Sequence, residues 1–191
     1  MTQDLPPQLL KLSKPIVLVG LMGAGKTCIG TRLAAKLGLP FIDADTEIER
    51  AAGCSVADIF ELYGESEFRK GERRVIARLL KDPVHVLATG GGGFMDSATR
   101  KEVSDRAISV WLRADLNLLV SRTGRRADRP LLEKGNRREI LEQLIEERHP
   151  IYAEADLVID SAWESPDLTV DRLIGALEKF TGKSAGAAAV Q

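Results

Sequence analysis

Residues 20–27 read GLMGAGKT and fill every required position of the phosphate-binding pattern G-x-x-x-x-G-K-[ST]. In a loop of this kind, backbone N–H groups turn inward around phosphate oxygens at the positive end of the following helix. Lys26 can then reach the β- and γ-phosphates of a nucleotide, and the Thr27 hydroxyl is placed to coordinate Mg²⁺. The pattern predicts a P-loop, and the alternative is a glycine-rich turn that only joins a strand to a helix.

Two acids, Asp43 and Asp45, follow a short apolar segment that is typical of a strand. If the strand runs through residues 41–45, its period of two places both carboxylates on one side. Such carboxylates, beside a P-loop, can hold Mg²⁺ through water and meet a substrate hydroxyl. Helix capping by Asp45 is an equally good interpretation, because Asp45 precedes residues 46–49, which can begin a helix. The two interpretations are compatible.

A run of glycines follows the next apolar segment, residues 84–88, and ends at Gly93. Glycines at the carboxyl end of a strand let a ligand approach the backbone closely. The alternative is a flexible loop. This strand ends without an aspartate, so the usual Walker-B carboxylate is missing, and Asp43 and Asp45 are the nearest substitutes.

A basic segment spans residues 113–138, with eight lysines and arginines against three acids. Within it, residues 123–136 contain two glycines and a proline and have weak apolar periodicity, which indicates a mobile loop. A mobile arginine-rich loop near a polyphosphate is typical of a lid. The alternative is a solvated run of charges.

Strands and helices alternate along the chain, which predicts an α/β fold. Strands are predicted at residues 16–19, 41–45, 84–88, 108–112 and 157–159. Ser55 begins a helix that Gly64 closes, and another covers residues 65–80. Pro150 is expected to break a later helix. The last helix begins at residue 165 and turns four apolar side chains toward the core: Leu168, Leu173, Ile174 and Leu177.

Composition limits the partners and the compartment. The net charge is −1, from 27 basic and 28 acidic residues, so no global field favours nucleic acid or a membrane. The two cysteines lack metal-ligand spacing, and a disulfide at Cys28 would obstruct the phosphate site, which indicates a reducing compartment. Residues 1–14 and 182–191 are expected to be flexible, without a signal-peptide core or a membrane span. We therefore expect a cytoplasmic protein with one domain at residues 15–181.

Taken together, the motifs resemble those of the shikimate kinase family over residues 16–180. A P-loop alone is common to many nucleotide enzymes, but the ordered set is far more specific. The motifs that carry the resemblance are GLMGAGKT (20–27), DAD (43–45), FR (68–69), GGG (90–92), RPLL (129–132) and RHPIY (148–152).

The resemblance implies a nucleoside-monophosphate-kinase-like fold, a three-layer α/β/α arrangement around a five-stranded parallel sheet. It also implies a mobile lid at about residues 123–136 and a shikimate-binding subdomain at about 43–72. The implied reaction is phosphorylation of the 3-hydroxyl of shikimate by ATP with Mg²⁺, in the pathway to chorismate and the aromatic amino acids. The expected enzyme is a monomer.

Site residues carry over by matching position. Asp45 resembles the residue that binds shikimate hydroxyls and is the candidate base, and Asp43 resembles the acid near Mg²⁺. Arg129 resembles the lid arginine that reaches the transferred phosphate. The expected shikimate-binding residues beside Asp45 are Phe68, Arg69, Gly91, Gly92 and Arg148. The expected nucleotide-binding residues beside Arg129 are Gly23, Ala24, Gly25, Lys26, Thr27, Cys28, Arg122 and Pro166.

One residue departs from the family pattern, and two other functions stay open. Cys28 stands where the family usually has a hydroxyl residue, which puts in doubt a side-chain bond to the α-phosphate. A related kinase for gluconate or a nucleoside monophosphate would share the P-loop and the lid. A non-catalytic nucleotide switch would also share them, but it would not need the set of Asp45, Arg69 and Arg148.

Overall fold

The computed structural model describes residues 12–124 and 136–188, and within them the backbone forms five strands and seven α-helices. The strands are β1 (Ile16–Val19), β2 (Phe41–Asp43), β3 (Val86–Ala88), β4 (Ile108–Ala114) and β5 (Leu157–Ser161). The helices are α1 (Lys26–Leu37), α2 (Ala44–Ala52), α3 (Val56–Leu79), α4 (Ser97–Arg106), α5 (Leu116–Thr123), α6 (Arg137–Tyr152) and α7 (Pro166–Ala188). A short 3₁₀ turn, Gly93–Met95, follows β3.

The five strands form one parallel sheet in the order β2-β3-β1-β4-β5. Strand β1 is central, and Ile16 lies opposite both Val86 of β3 and Ile108 of β4. All four residues of β1 are fully buried. This burial on both faces is what a continuous apolar run in a parallel sheet requires. The predicted α/β fold with five parallel strands is confirmed.

The strand order also determines where the helices lie. Right-handed crossovers place α1, which leads from β1 outward to β2, on one face of the sheet. The later crossovers run in the opposite direction, so α3 through α6 cover the other face. Helix α7 packs against α1 and β5, whereas α3 contacts α4 and α5 contacts α6. The three-layer arrangement follows from these contacts.

The boundary between β2 and α2 differs from the sequence prediction. Strand β2 ends at Asp43, whose carboxylate accepts a hydrogen bond from the Asp45 N–H at 3.1 Å and caps α2. Asp45 therefore lies in the first helical turn, and the predicted placement of both carboxylates on one side of a strand was wrong. The N–H groups at the start of a helix have no partner within it and need an acceptor. The Asp43 side chain supplies one here, and the strand does not continue. A helix cap is present here, but it is Asp43 and not Asp45, because α2 begins at Ala44.

Helix α3 begins and bends where the sequence predicted. Ser55 caps it and shares a reciprocal pair of hydrogen bonds with Asp58. Gly64 has φ 78° and ψ 170°, which is not helical, so α3 consists of two helical segments joined at this residue. The second segment carries Arg69 into the site described below.

Two predictions about the later helices were wrong. Helix α6 continues past Pro150 to Tyr152, because a proline in the last turn removes one N–H while the Ala153 N–H still closes on the His149 carbonyl at 3.0 Å. Leu168 is 53% exposed, although Leu173 and Leu177 are fully buried as expected. Leu168 lies in the first turn of α7, before the helix reaches the core.

Several element ends also shift. Strand β3 begins at Val86, and His85 before it is buried with its Nδ1 hydrogen-bonded to the Pro83 carbonyl at 2.8 Å. Strands β4 and β5 both extend beyond their predicted ends. Helix α7 reaches Ala188, so helix continues past the predicted domain end at residue 181.

Some predictions lie outside the described residues. They are the N-terminal extension up to residue 11, the lid at 125–135 with Arg129, and the last three residues of the chain. Within the described ranges, none of the helices combines the length and the apolar character that a membrane span needs.

Candidate active site

A cleft of about 820 Å³ opens at the carboxyl ends of the neighbouring strands β2, β3 and β1. Parallel strands direct their carboxyl ends to the same edge, so the loops that follow them meet there. Many of the predicted site residues line this cleft: Gly23, Gly25, Lys26, Thr27, Cys28, Asp43, Asp45, Gly91, Arg122 and Pro166.

The P-loop connects β1 to α1 and forms the floor of the cleft. Gly25, at the N-cap of α1, has φ 100°, a left-handed conformation that residues with a Cβ rarely adopt. The first N–H groups of α1 have no side-chain cap, and they lie where an anion is favoured. The Lys26 ammonium donates to the carbonyl oxygens of Gly20 at 2.8 Å and Leu21 at 3.1 Å. The loop therefore holds its cation at the phosphate position.

Thr27 and Asp43 present adjacent oxygen atoms to the same side of the cleft. The Thr27 hydroxyl donates to Oδ2 of Asp43 at 3.0 Å. A hydroxyl and a carboxylate are hard oxygen ligands, which suit Mg²⁺. No cluster of three or more His, Cys, Asp or Glu that could hold a metal is found within residues 12–124 and 136–188. The residues present fit a cation that keeps several waters and takes its remaining ligands from phosphate, as Mg²⁺ does.

Asp45 lies between the P-loop and the glycine run. Its pKa is raised above the ordinary value by burial and by the neighbouring Asp43 carboxylate, while Lys26 opposes the shift. A carboxylate with a raised pKa is a better proton acceptor near neutral pH than an exposed one. The side chain therefore has both the position and the electrostatic environment of a general base.

Gly90 separates Asp45 from a second carboxylate, Glu72. A Cβ built on Gly90 would lie 2.9 Å from Oδ1 of Asp45 and 3.0 Å from Oε1 of Glu72. Glu72 is buried, and its Oε1 has no hydrogen-bond partner among the described residues. Burial raises the pKa of Glu72, and the Arg69 guanidinium opposes this shift.

Arg69 is fixed by two carboxylates on its own helix. Its Nη1 donates to Glu72 at 2.6 Å, and its Nε and Nη2 donate to Glu65 at 3.3 and 3.2 Å. The guanidinium also lies 5.1 Å from the centroid of the Phe68 ring. With the other face of the fork against Gly92, this arginine is oriented before any substrate binds.

Arg148 approaches the same glycine run from α6. Its Nη1 donates to the carbonyl oxygen of Gly91 at 2.9 Å. The adjacent residues Gly91 and Gly92 are therefore flanked by guanidinium groups from two different helices. Paired planar forks of this kind are suited to a carboxylate ligand.

Arg122 links the P-loop to the far end of the cleft. Its guanidinium donates to the Ser161 hydroxyl at 2.9 Å and the Ala162 carbonyl at 3.1 Å, with longer bonds to the carbonyls of Gly23 and Ala24 at 3.4 Å. Pro166, the first residue of α7, lines the cleft at the same end.

Within the described part of the chain, five predicted residues are not among those that line the cleft: Ala24, Phe68, Arg69, Gly92 and Arg148. Phe68 is buried and packs on Phe60 with ring centroids 4.6 Å apart. Its ring in turn lies against the Arg69 guanidinium. Ala24 is buried within the P-loop, and its backbone is the part available to a ligand. Cys28 does line the cleft, and its sulfur accepts a hydrogen bond from Arg32 at 2.9 Å.

Sequence reasoning missed three further residues that line the cleft: Ser161, Glu164 and Thr169. A usable signal was their position from the end of the fifth strand into the next helix, because every strand of a parallel sheet delivers its following loop to this edge. It also missed that Tyr152 is wholly buried and donates its hydroxyl proton to the Gly91 carbonyl. No periodic pattern near residue 152 marks that long-range bond.

The family model described as shikimate kinase matches residues 22–178, which is most of the chain. The chain belongs to the shikimate kinase family. The family's namesake enzyme from Paramagnetospirillum magneticum is 56% identical over 167 residues, which cover 87% of this chain and 86% of the relative. The one from Rhodopseudomonas palustris is 50% identical over 167 residues, covering 87% and 82%.

Solved structures of the shikimate kinase family have the same fold. The structure from Acinetobacter baumannii, described as a complex with shikimate, has a TM-score of 0.84 at 39% identity and covers 90% of this chain and 96% of its own. A gluconokinase from Sinorhizobium meliloti has a TM-score of 0.63 at 17% identity, covering 91% and 97%. At that identity the second likeness shows the fold alone.

Proposed function

We propose that this protein transfers the γ-phosphoryl group of ATP to the 3-hydroxyl of shikimate, giving shikimate 3-phosphate and ADP. Family membership and the geometry of the cleft support the same reaction. The observation that carries the proposal is that two guanidiniums, from Arg69 and Arg148, flank Gly91 and Gly92, in the same glycine run as Gly90, which contacts Asp45. A cyclic acid with neighbouring hydroxyls matches this combination.

The side chains of Arg69, Arg148 and Asp45 supply the hydrogen-bonding groups that bind shikimate. The two guanidiniums bind the carboxylate of shikimate, because each has N–H groups beyond those that hold it in place. Asp45 accepts hydrogen bonds from ring hydroxyls and thereby directs one of them toward the P-loop. The acceptor oxygen attacks the γ-phosphorus as the bond to the β-phosphate oxygen breaks, and its proton passes to Asp45.

Charge on the transferred group is neutralised from several directions. Lys26 leaves the carbonyls of Gly20 and Leu21 to contact the β- and γ-phosphates, and the N–H groups at the start of α1 bind their oxygens. Thr27 and Asp43 are the residues that would hold Mg²⁺, which when bound supplies further positive charge to the phosphates. Arg129 and the lid at residues 123–136 would close over the γ-phosphate and exclude water.

We infer that the enzyme acts as a monomer in the cytoplasm, in the pathway to chorismate, and needs no nucleic acid or membrane partner. Arg122 and Pro166 bind the adenine base from its two faces. Cys28 contributes its backbone N–H to the α-phosphate, since its side chain interacts with Arg32.

The test is a coupled assay of ADP release with ATP and Mg²⁺, with and without shikimate, and with gluconate and a nucleoside monophosphate in parallel. We expect strong stimulation by shikimate alone, since a closed cleft without an acceptor leaves only water as nucleophile. Lys26→Ala is the inactive control and should nearly abolish turnover. Lys36→Ala, which removes a surface ion pair with Asp171, should behave as the unmodified enzyme.

The assay also separates the alternatives. Stimulation by gluconate or a nucleoside monophosphate, and not by shikimate, would assign a different acceptor to the same fold. Nucleotide binding without any stimulated turnover would favour a non-catalytic switch.

A further inference from the structure

Tyr152 is the last residue of α6, and its side chain is wholly buried. The ring has aromatic neighbours, with its centroid 6.5 Å from that of Phe94 and 6.0 Å from that of Trp111. A phenol in such a position needs a hydrogen-bond partner, because a buried hydroxyl without one is costly. The partner is the carbonyl oxygen of Gly91, to which the Tyr152 hydroxyl donates.

The same carbonyl oxygen receives a second donor from the same helix. Arg148, one turn before Tyr152, donates its Nη1 at 2.9 Å. A carbonyl oxygen has two lone pairs, so these two bonds saturate Gly91. Burial raises the pKa of Tyr152 to about 12, although Arg148 opposes the shift, so the phenol keeps its proton and remains a donor throughout the physiological range.

The phenol and the guanidinium differ in what else they must do. Arg148 is partly exposed, and its remaining N–H groups are needed for the acceptor's carboxylate. Tyr152 is wholly buried beside Phe94 and Trp111 and has only one proton to donate. The buried member of the pair is therefore suited to fix the carbonyl, while the partly exposed member binds the ligand.

We propose that Tyr152 is a positioning residue for the acceptor: it fixes the orientation of the peptide between Gly91 and Gly92, and with it the place of Arg148 against the substrate carboxylate. The inference rests on the function proposed above. Glycine peptides rotate easily, so this plane needs an external anchor. Without the phenol, Arg148 alone holds the carbonyl, and its fork turns away from the acceptor.

The test is Tyr152→Phe, which keeps the ring and removes one hydrogen bond, with Tyr63→Phe, an exposed tyrosine on α3, as the matched control. We expect the shikimate KM to rise about five-fold, as loss of one neutral hydrogen bond implies, with the ATP KM and kcat within about two-fold. A purely structural hydroxyl would lower Tm without this selective change. An unchanged shikimate KM, or equal increases in both KM values, would overturn the inference.

A second measurement covers the case in which Tyr152→Phe does not fold. The chain has only two tyrosines, so fluorotyrosine labelling gives two ¹⁹F resonances, and Tyr63→Phe assigns them. The Tyr152 resonance should shift on saturation with shikimate and not with ATP, and the absence of such a shift would refute the positioning role. A wild-type enzyme without shikimate-dependent ADP release would instead refute the proposed function and the inference with it.

Discussion

The guanidinium of Arg69 occupies the space in which a side chain at residue 92 would begin: a Cβ built on Gly92 would lie 2.5 Å from its Nη1. Native Cβ atoms do not approach other atoms so closely, so the two positions are mutually exclusive. To move away, Arg69 would have to give up hydrogen bonds to Glu72 and Glu65 that orient it. Arg69 can therefore take this orientation only when residue 92 is glycine, which has no side chain.

Gly92→Ala should therefore displace the Arg69 guanidinium and weaken acceptor binding. Loss of one bond to a charged group corresponds to roughly a ten-fold or greater rise in the shikimate KM, with little change in the ATP KM. Steady-state kinetics with each substrate varied in turn measures both. Gly71→Ala is the matched control, since a Cβ there meets nothing within 4 Å. It should leave both KM values unchanged and stabilise α3 by about 0.5–1 kcal/mol.

Arg69→Lys and Arg148→Lys should each raise the shikimate KM more than the ATP KM. A lysine is a point charge and cannot reproduce the two parallel hydrogen bonds of a guanidinium to a carboxylate. The expected increase is roughly ten-fold or more for each variant. Arg106→Lys, at a surface pair with Glu102, provides the comparison. Equal effects on the two substrates would place these arginines outside the acceptor site.

Much of the fold could be predicted because the signals are local. The apolar run of β1, the P-loop pattern and the capping residue Ser55 each act within a few neighbouring residues. The errors occurred where two local preferences competed. Asp43 could extend β2 or cap α2, and Pro150 could end α6 or lie in its last turn. Hydrogen bonding at the helix ends decided both cases: Asp43 caps the Asp45 N–H, and the Ala153 N–H closes on the His149 carbonyl after Pro150.

The residues of the candidate site likewise include some that local sequence signals predict and others that they do not. Lys26, Thr27 and Asp43 were predictable because their roles follow from residue type beside a P-loop. The family resemblance, and not any local pattern, indicated Arg69 and Arg148. Bonds between distant residues, such as Tyr152 to Gly91 and Arg122 to Ser161, depend on how helices are placed over the sheet. Those could be read only from the structure.

Asp43→Asn should raise the Mg²⁺ concentration needed for half-maximal activity and leave the shikimate KM nearly unchanged. The amide keeps the size of the side chain but loses the negative charge beside Thr27 that favours a divalent cation. Titration of activity with Mg²⁺ at saturating ATP and shikimate measures the shift. Removal of the metal by EDTA should abolish turnover in both proteins. An identical Mg²⁺ dependence would exclude Asp43 from metal binding.

Asp45→Asn should lower kcat and change how stability depends on pH. Burial holds the folded pKa of Asp45 above the ordinary value of an aspartate, so the folded state holds this proton more tightly than the unfolded chain. The contribution of Asp45 to stability is fully present below that value and is lost as pH rises through the folded pKa. In metal-free buffer, the Tm of Asp45→Asn relative to wild type should therefore increase from pH 4 to pH 7.5.

Asp58→Asn is the control of opposite sign. Hydrogen bonds from Ser55 lower the pKa of Asp58, so its contribution is present above the unfolded value and is lost as pH falls through the folded pKa. The Tm of Asp58→Asn relative to wild type should decrease as pH rises toward the unfolded value, below pH 4, and should stay nearly level from pH 4 to pH 7.5. If Asp45→Asn followed the same trend as Asp58→Asn, the raised pKa of Asp45 would be wrong.

The ammonium group of Lys26 is shared between the carbonyl oxygens of Gly20 and Leu21. A nucleotide must therefore compete with the loop's own backbone for this cation, and each bond that it gains replaces an existing one. The exchange favours ligands with more negative charge, because each added phosphate attracts the ammonium group by a charge–charge interaction that neutral carbonyls lack. We therefore expect the affinity for nucleotides to rise in steps from AMP to ADP to ATP, following the number of phosphates more than the contacts of the base.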